Sequence, residues 1–430
     1  MKNKRSYRVW CMLALALLSV CTLYAGNKSN VFHAIVAQDG TGDYVSVQEA
    51  IDKAPANRRA PWIIFVKNGS YNELVTVPKE KRFIHLIGQD KEHTIIHFSL
   101  NVGGKPEKEP AEYWNYSVHN PELPIYKKQG SVVQILAPDF YSENISYVND
   151  FGVHFQSGPQ ALAMSSQADR IAFKNCIFRS FQDTWMTTKV DTFRHYVKGC
   201  WIEGAVDYFY GSGDALLEEC TLYNVRSGSV IVAPCHEKSK YGYVFRNCIV
   251  DGNKLAADGK QKLGRPWHNA PKAIYINTTM RIPLAKEGWT NMGTVPAIFA
   301  EYNSVDAHGN VLDLSQRKTE YQGRGETPEV GTCRASITEN EANQLTYENI
   351  IPGNDGWNPR KIMDELPSPE NIQWKNGALS WTAVNNAAGY VVVADGNLYV
   401  TQKARLKMKP AKEVVIYAVS RFGALGKPGK

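Results

Sequence analysis

Beyond residue 25 the chain lacks any apolar run of the roughly 20 residues that a membrane-spanning helix needs. It has no Cys-x-x-Cys pair and no His at ligand spacing beside a Cys, which argues against a zinc site. Gly-x-Ser-x-Gly, His-Glu-x-x-His and a glycine-rich phosphate loop ending in Lys-Ser/Thr are missing as well, which removes the common serine, zinc and nucleotide signatures. Charge of one sign is also scarce. The formal charge of +7 falls to +3 once Lys2, Lys4, Arg5 and Arg8 are set aside, so charge argues for no nucleic-acid partner. What is present is ordinary: 430 residues, 43% hydrophobic and 21% charged, long enough for one large domain and a small one and too apolar for disorder.

Those four basic residues open an export signal. A basic stretch to Arg8 precedes an apolar run from Trp10 to Leu23 and the small residues Ala25 and Gly26, giving a signal peptide over 1–25. Leu18-Ser19-Val20-Cys21 is an alternative, a lipoprotein cleavage site with Cys21 acylated, and Val20 weakens it. The expected location is exported: periplasmic, secreted or anchored at the outer membrane, with membrane contact only through Cys21. A monomer is expected.

The remaining cysteines carry a repeat. Asn175-Cys176-Ile177-Phe178, Gly199-Cys200-Trp201-Ile202, Glu219-Cys220-Thr221-Leu222 and Asn247-Cys248-Ile249-Val250 share one frame, at intervals of 24, 20 and 28 residues. Glu143-Asn144-Ile145-Ser146 fits it with Asn144 at the Cys position. A loose period of 20 to 30 residues with short β-rich segments is the mark of a parallel β-solenoid, in which like positions of successive turns stack. Four small thiols in such a column read as core filling rather than disulfides or ligands. The pairing of Cys235 and Cys333 is left open.

The coarse organisation follows. Ser46 and Glu49 are spaced as a capping box for a short helix that ends before Pro55 and would cap the open end of the solenoid. Strand runs follow at Trp62 to Lys67 and Phe83 to Gly88, then a long loop over 101–129. The solenoid domain is placed at 33–355, a linker at 356–368, and a small β-sandwich at 369–430, where Trp381, Tyr390 and Tyr417 resemble a fibronectin type III module. A spacer or stabilising appendage is its expected role.

Chemistry concentrates in two turns. Asp183 and Asp207 each lie seven residues after a ladder cysteine, so if the thiols stack, the carboxylates stack too. Two carboxylates held within a few ångströms do not ionise alike, which yields one protonated acid and one ionised nucleophile or base. Phe181, Trp185, Tyr208, Phe209 and Tyr210 surround them in sequence and would add desolvation. A single Asp in a solenoid more often turns a corner or satisfies backbone amides. Gln160, Gln182 and Arg265 shift the balance: acid, nucleophile, two neutral donors and a cation are the parts for acyl transfer through a carboxylate.

Six motifs now carry a resemblance: Asp39-Gly40-Thr41-Gly42-Asp43-Tyr44, Gly69-Ser70-Tyr71-Asn72-Glu73, Gln160-Ala161, Gln182-Asp183-Thr184, Asp207-Tyr208-Phe209-Tyr210-Gly211 and Leu263-Gly264-Arg265-Pro266-Trp267. In order and spacing they resemble pectin methylesterases over about residues 33–355. The resemblance implies an all-β, right-handed parallel β-helix that hydrolyses galacturonate C6 methyl esters of pectin (homogalacturonan), without metal or cofactor. It implies Asp207 as nucleophile, Asp183 as general acid then base, Gln160 and Gln182 as oxyanion donors, and Arg265 as the partner that orients Asp207. Trp267 and Tyr210, with Phe181 and Trp185, are the expected aromatic walls of the sugar groove. Departures occur at Tyr208 and Tyr210, which would bring two ring hydroxyls into the cleft, at Trp185, and at Gly130-Ser131-Val132. An esterase acting on another acyl group of pectin, a β-helix lyase working by β-elimination, and a non-catalytic carbohydrate-binding solenoid remain the alternatives.

Overall fold

The computed structural model describes residues 31–102 and 130–430. The signal segment, Cys21 and nearly all of the 101–129 loop lie outside the described residues.

The chain divides into two compact units, of which the larger spans Ala34–Glu365 with Phe422–Ala424. It contains three parallel sheets. One has ten strands, from Ala34–Val36 to Ile298–Tyr302; one has seven, from Val75–Val77 to Lys262–Gly264; one has nine, from Gly69–Asn72 to Val305–Asp306. Neighbours within each sheet come from successive coils, so the chain winds as a parallel β-helix, with the right hand that crossovers between parallel strands take; this is the expected fold. Short strands rich in Val, Ile and Phe suit this, because each coil buries an apolar side only when the next coil covers its edges.

Coil-to-coil register explains the cysteines. Ile177 pairs with Trp201, Trp201 with Thr221 and Thr221 with Ile249, which stacks Cys176, Cys200, Cys220 and Cys248 in one buried column of free thiols. Cys235 and Cys333 are free too. One coil earlier the frame needs correcting: Ile177 pairs with Ser146, so Ile145 and not Asn144 occupies the column. Asn144 belongs to the preceding position, with Asn175, Gly199, Glu219, Asn247, Asn277 and Asn303, all at φ between 50° and 60°. This is the left-handed corner of each coil, where Asn is tolerated better than most residues. The amides form rungs of their own: Asn175 donates to Asn144 at 2.7 Å and Asn303 to Asn277 at 2.9 Å. Two adjacent columns, one polar and one apolar, explain the one-residue error.

The first coil is covered by a helix over Val47–Lys53 whose Val47, Ala50 and Ile51 enter the main core. Ser46 caps it by accepting from Glu49 N at 3.3 Å. Glu73, the last residue of the Gly69–Glu73 motif, accepts from Ser46 Oγ at 2.6 Å, Val47 N at 2.8 Å and Gln48 N at 3.0 Å. The anion at the helix start therefore comes from a distant strand end as well as from the local spacing.

The stretch 356–368, read above as linker, contains a helical turn over Pro359–Ile362, and one terminal guanidinium nitrogen of Arg360 in it donates to both carboxylate oxygens of Glu218, at 2.9 and 2.8 Å. Chain through Glu365 thus belongs to the larger unit. The smaller unit comprises Leu366–Arg421 and Leu425–Lys430 together with Val31–His33. It holds a three-stranded and a four-stranded antiparallel sheet around Leu379, Trp381, Tyr390, Val392, Ile416 and Ala418.

Candidate active site

The seven-stranded sheet positions the acids. Trp185 pairs with Phe209 and Met186 with Tyr210, so Asp183 and Asp207 occupy the same station on adjacent coils. The 24-residue interval does place the carboxylates one above the other. Both are non-glycine residues at positive φ, 59° and 49°, a backbone state that costs on the order of 1–3 kcal/mol each and clusters where geometry is dictated by use.

The two environments differ. Arg265, just past the strand Lys262–Gly264, forks onto Asp207, Nε to Oδ1 at 2.8 Å and NH2 to Oδ2 at 2.6 Å. Gly264 permits this: a Cβ there would lie 2.4 Å from Val232 Cγ2, so only glycine lets the chain deliver Arg265 at that level. Asp183 receives no hydrogen bond on its carboxyl among the described residues. Burial, then repulsion from Asp207, push its pKa up to about 8 against the smaller opposing pull of Arg265. The site therefore holds one carboxyl gripped by a cation beside a second that keeps its proton near neutral pH.

Gln160 and Gln182 are half-buried on the neighbouring coil ends. Ala161 N donates to Gln182 O at 3.1 Å, tying the two segments, and Gln182 bridges to Val206 next to Asp207. Neither side-chain amide has a partner among the described residues, which leaves N–H donors available to a ligand. Tyr210 and Trp267 meet edge to face at 5.7 Å and 66°. With them pack Leu162, Ala233, Met186, Met292 and Val102, an apolar patch beside the carboxylates.

Two expected walls are not there. Trp185 is fully buried, stacked at 4.2 Å on Phe178 and edge-on to Phe209 at 5.3 Å, with its Nε1 donating to Ser166 Oγ at 2.8 Å. Phe181 is 2% exposed and packs with Ala205 and Val225 in a separate cluster. Tyr208 also turns inward, its hydroxyl 3.4 Å from Asn224 Oδ1, so of the two expected ring hydroxyls only that of Tyr210 stays on the outer face. The cause is a register shift between Val206 and Phe209, a bulge that sends Tyr208 and Phe209 both inside. Strict alternation misassigns such a segment. The residues missed, Met186 above all, had a signal: Met186 follows Asp183 by three residues, as Tyr210 follows Asp207.

Among the described residues no cluster of three or more His, Cys, Asp or Glu is placed to hold a metal ion.

Comparison with known proteins places these coils. The protein-family model described as Pectinesterase matches residues 33–109 and 122–354. Pectinesterase 31 of Arabidopsis thaliana is 35% identical over 273 residues, 62% of this chain and 80% of that one. Among solved structures, pectin methylesterase from carrot aligns with a TM-score of 0.60 at 23% identity, over 75% of this chain and 94% of its own. The pectin methylesterase PemA from Erwinia chrysanthemi aligns at 0.57 and 22%, over 76% and 98%.

Proposed function

The chain belongs to the pectinesterase family and is a carboxylic ester hydrolase, and we propose that it removes methyl groups from galacturonate C6 esters of pectin with Asp207 as nucleophile. The observation that carries this reading is the asymmetry of the stacked pair: Asp207 forked by Arg265, Asp183 without a hydrogen bond on its carboxyl among the described residues and protonated near neutral pH.

The chemistry follows from that asymmetry. A carboxylate oxygen of Asp207 attacks the ester carbonyl, and the charge that gathers on the carbonyl oxygen meets the N–H groups of Gln160 and Gln182. Such a donor lowers the barrier by about 2.7–4 kcal/mol. As the C–O bond to the methoxy group breaks, Asp183 supplies its proton and methanol leaves, which leaves an anhydride between Asp207 and the galacturonate. Asp183, now a carboxylate beside a neutralised Asp207, takes a proton from water; the hydroxide adds to the galacturonyl carbon and Asp207 departs as carboxylate. Arg265 holds Asp207 at the right angle throughout. Trp267 and Tyr210 are proposed to flank the sugar. The export signal over 1–25 fits a polymeric substrate outside the cell.

The test is methanol release from highly methylated pectin by residues 26–430, run beside Asp207→Ala. Release by the parent alone supports esterase and nucleophile together. Release by both keeps the esterase and moves the nucleophile. No release by folded parent overturns the methylesterase and points to acetylated pectins, or to a lyase if an ultraviolet-absorbing unsaturated product forms.

A further inference from the structure

The two units carry charge very differently. Residues 26–365 hold 36 Lys and Arg against 39 Asp and Glu, whereas residues 366–430 hold nine against three. Of those three acids, Asp395 is occupied with the backbone N–H groups of Lys412 and Glu413. The surplus is also ordered. Over Lys403-Ala404-Arg405-Leu406-Lys407-Met408-Lys409 the charged residues are all exposed, while Ala404, Leu406 and Met408 pack on the core of the smaller unit. The alternation is that of a strand with one wet face, Arg405–Lys407 being its regular part at the edge of the three-stranded sheet. At two residues per outward position, the row of four cations runs about 20 Å. Lys375 adds a fifth on the same face, in register with Lys407 across the small Ala378. None of the four stripe side chains meets a carboxylate among the described residues.

We propose that this stripe is a binding surface for de-esterified galacturonan, the polyanion that the esterase reaction would make; the identity of the ligand rests on the reading given under Proposed function. Each turnover converts a neutral ester into a carboxylate on a linear chain, and a straight row of Lys and Arg is the complement of a straight row of carboxylates. The stripe has no exposed apolar residue between its charges, which a membrane surface would call for. It has no aromatic between them either, which single-stranded nucleic acid would stack on. Tethered to the catalytic unit, such a surface raises the local concentration of enzyme where ester has already been removed.

The experiment titrates the full chain with polygalacturonate free of methyl ester, which binds without turning over, at low salt and at 0.5 M. The parent is expected to bind, more weakly in high salt. Lys403→Gln/Arg405→Gln/Lys407→Gln/Lys409→Gln is expected to bind roughly tenfold or more weakly, with its thermal unfolding and its rate on a short methylated oligogalacturonide unchanged. Lys412→Gln/Lys427→Gln/Lys430→Gln, which lowers the unit's charge off the stripe, is expected to bind as the parent does. Equal binding by the stripe variant, equal loss in the off-stripe variant, or equally tight parent binding to DNA or phosphatidylglycerol vesicles would overturn the proposal. Binding without methanol release sinks the catalytic reading and leaves the stripe standing; methanol release without binding does the reverse.

Discussion

Two columns rise through the same coils, one of thiols and one of carboxylates. The thiols of Cys176, Cys200, Cys220 and Cys248 repeat four times, small, buried and free of disulfides, so stacking like on like is simple close packing. The carboxylates of Asp183 and Asp207 repeat twice and then stop, because a solenoid that stacks like charges drives their protonation states apart. The same geometric rule gives inert core in one column and acid with nucleophile in the other. What separates them is Arg265, which pairs with only one of the two acids.

The sharpest way to break this comparison is to neutralise the gripped acid. Asp207→Asn is expected to cut kcat by about 10⁴ or more with the fold retained, read as methanol release. It also removes the repulsion on Asp183, so the Asp183 pKa should fall toward that of an ordinary carboxyl. Asp183→Asn comes next, with a loss of about 10²–10⁴ in kcat. Its stability effect has the opposite sign. In the parent the native state keeps a proton on Asp183 from its ordinary 3.8 up to about 8, so stability drains away as pH rises through that interval. Asp183→Asn escapes the drain, and its advantage in thermal unfolding should widen from pH 4 to about 8 and then level off. An advantage that shrinks with pH would contradict the assignment. For the parent, kcat should decline as Asp183 loses its proton near pH 8.

Gln182→Ala should lower kcat by about 10²–10³ with little change in KM, since its amide meets charge present only in the transition state. The smallest effect belongs to the other column. Cys200→Ala should cost about 1 kcal/mol in denaturant unfolding and leave kcat untouched, as removal of a small buried group does.

The stacking of both columns was legible because equal sequence offsets, seven residues from Cys176 to Asp183 and from Cys200 to Asp207, survive folding when successive coils match in length. Orientation was less legible. Trp185, Tyr208 and Phe181 read as groove aromatics by proximity, yet Trp185 stacks on Phe178 in the main core, a bulge turns Tyr208 inward and a satellite cluster buries Phe181, and none of this is written in composition or period. Asn144 was misread by one residue because the corner amides run beside the interior column and share its period. The outer-face role of Met186 comes from comparing Gln182–Met186 with Val206–Tyr210 as two coils rather than as two motifs.

Glu73 shows what the end of such a coil demands. The strand Ala34–Val36 closes the ten-stranded sheet, and a parallel stack with an open last rung is a template onto which another molecule can add; here Ile35 is occupied on that edge, its N–H donating to Asp43 Oδ2 at 2.9 Å and its carbonyl accepting from Asp43 N at 2.7 Å and Tyr44 N at 3.2 Å. The helix over Val47–Lys53, held at its start by the Glu73 carboxylate, follows directly and packs its apolar side into the core of that first coil. The two motifs that end in Tyr44 and Glu73 thereby leave the repeat no free edge at this end among the described residues, which is what keeps a repeating architecture from growing into a filament.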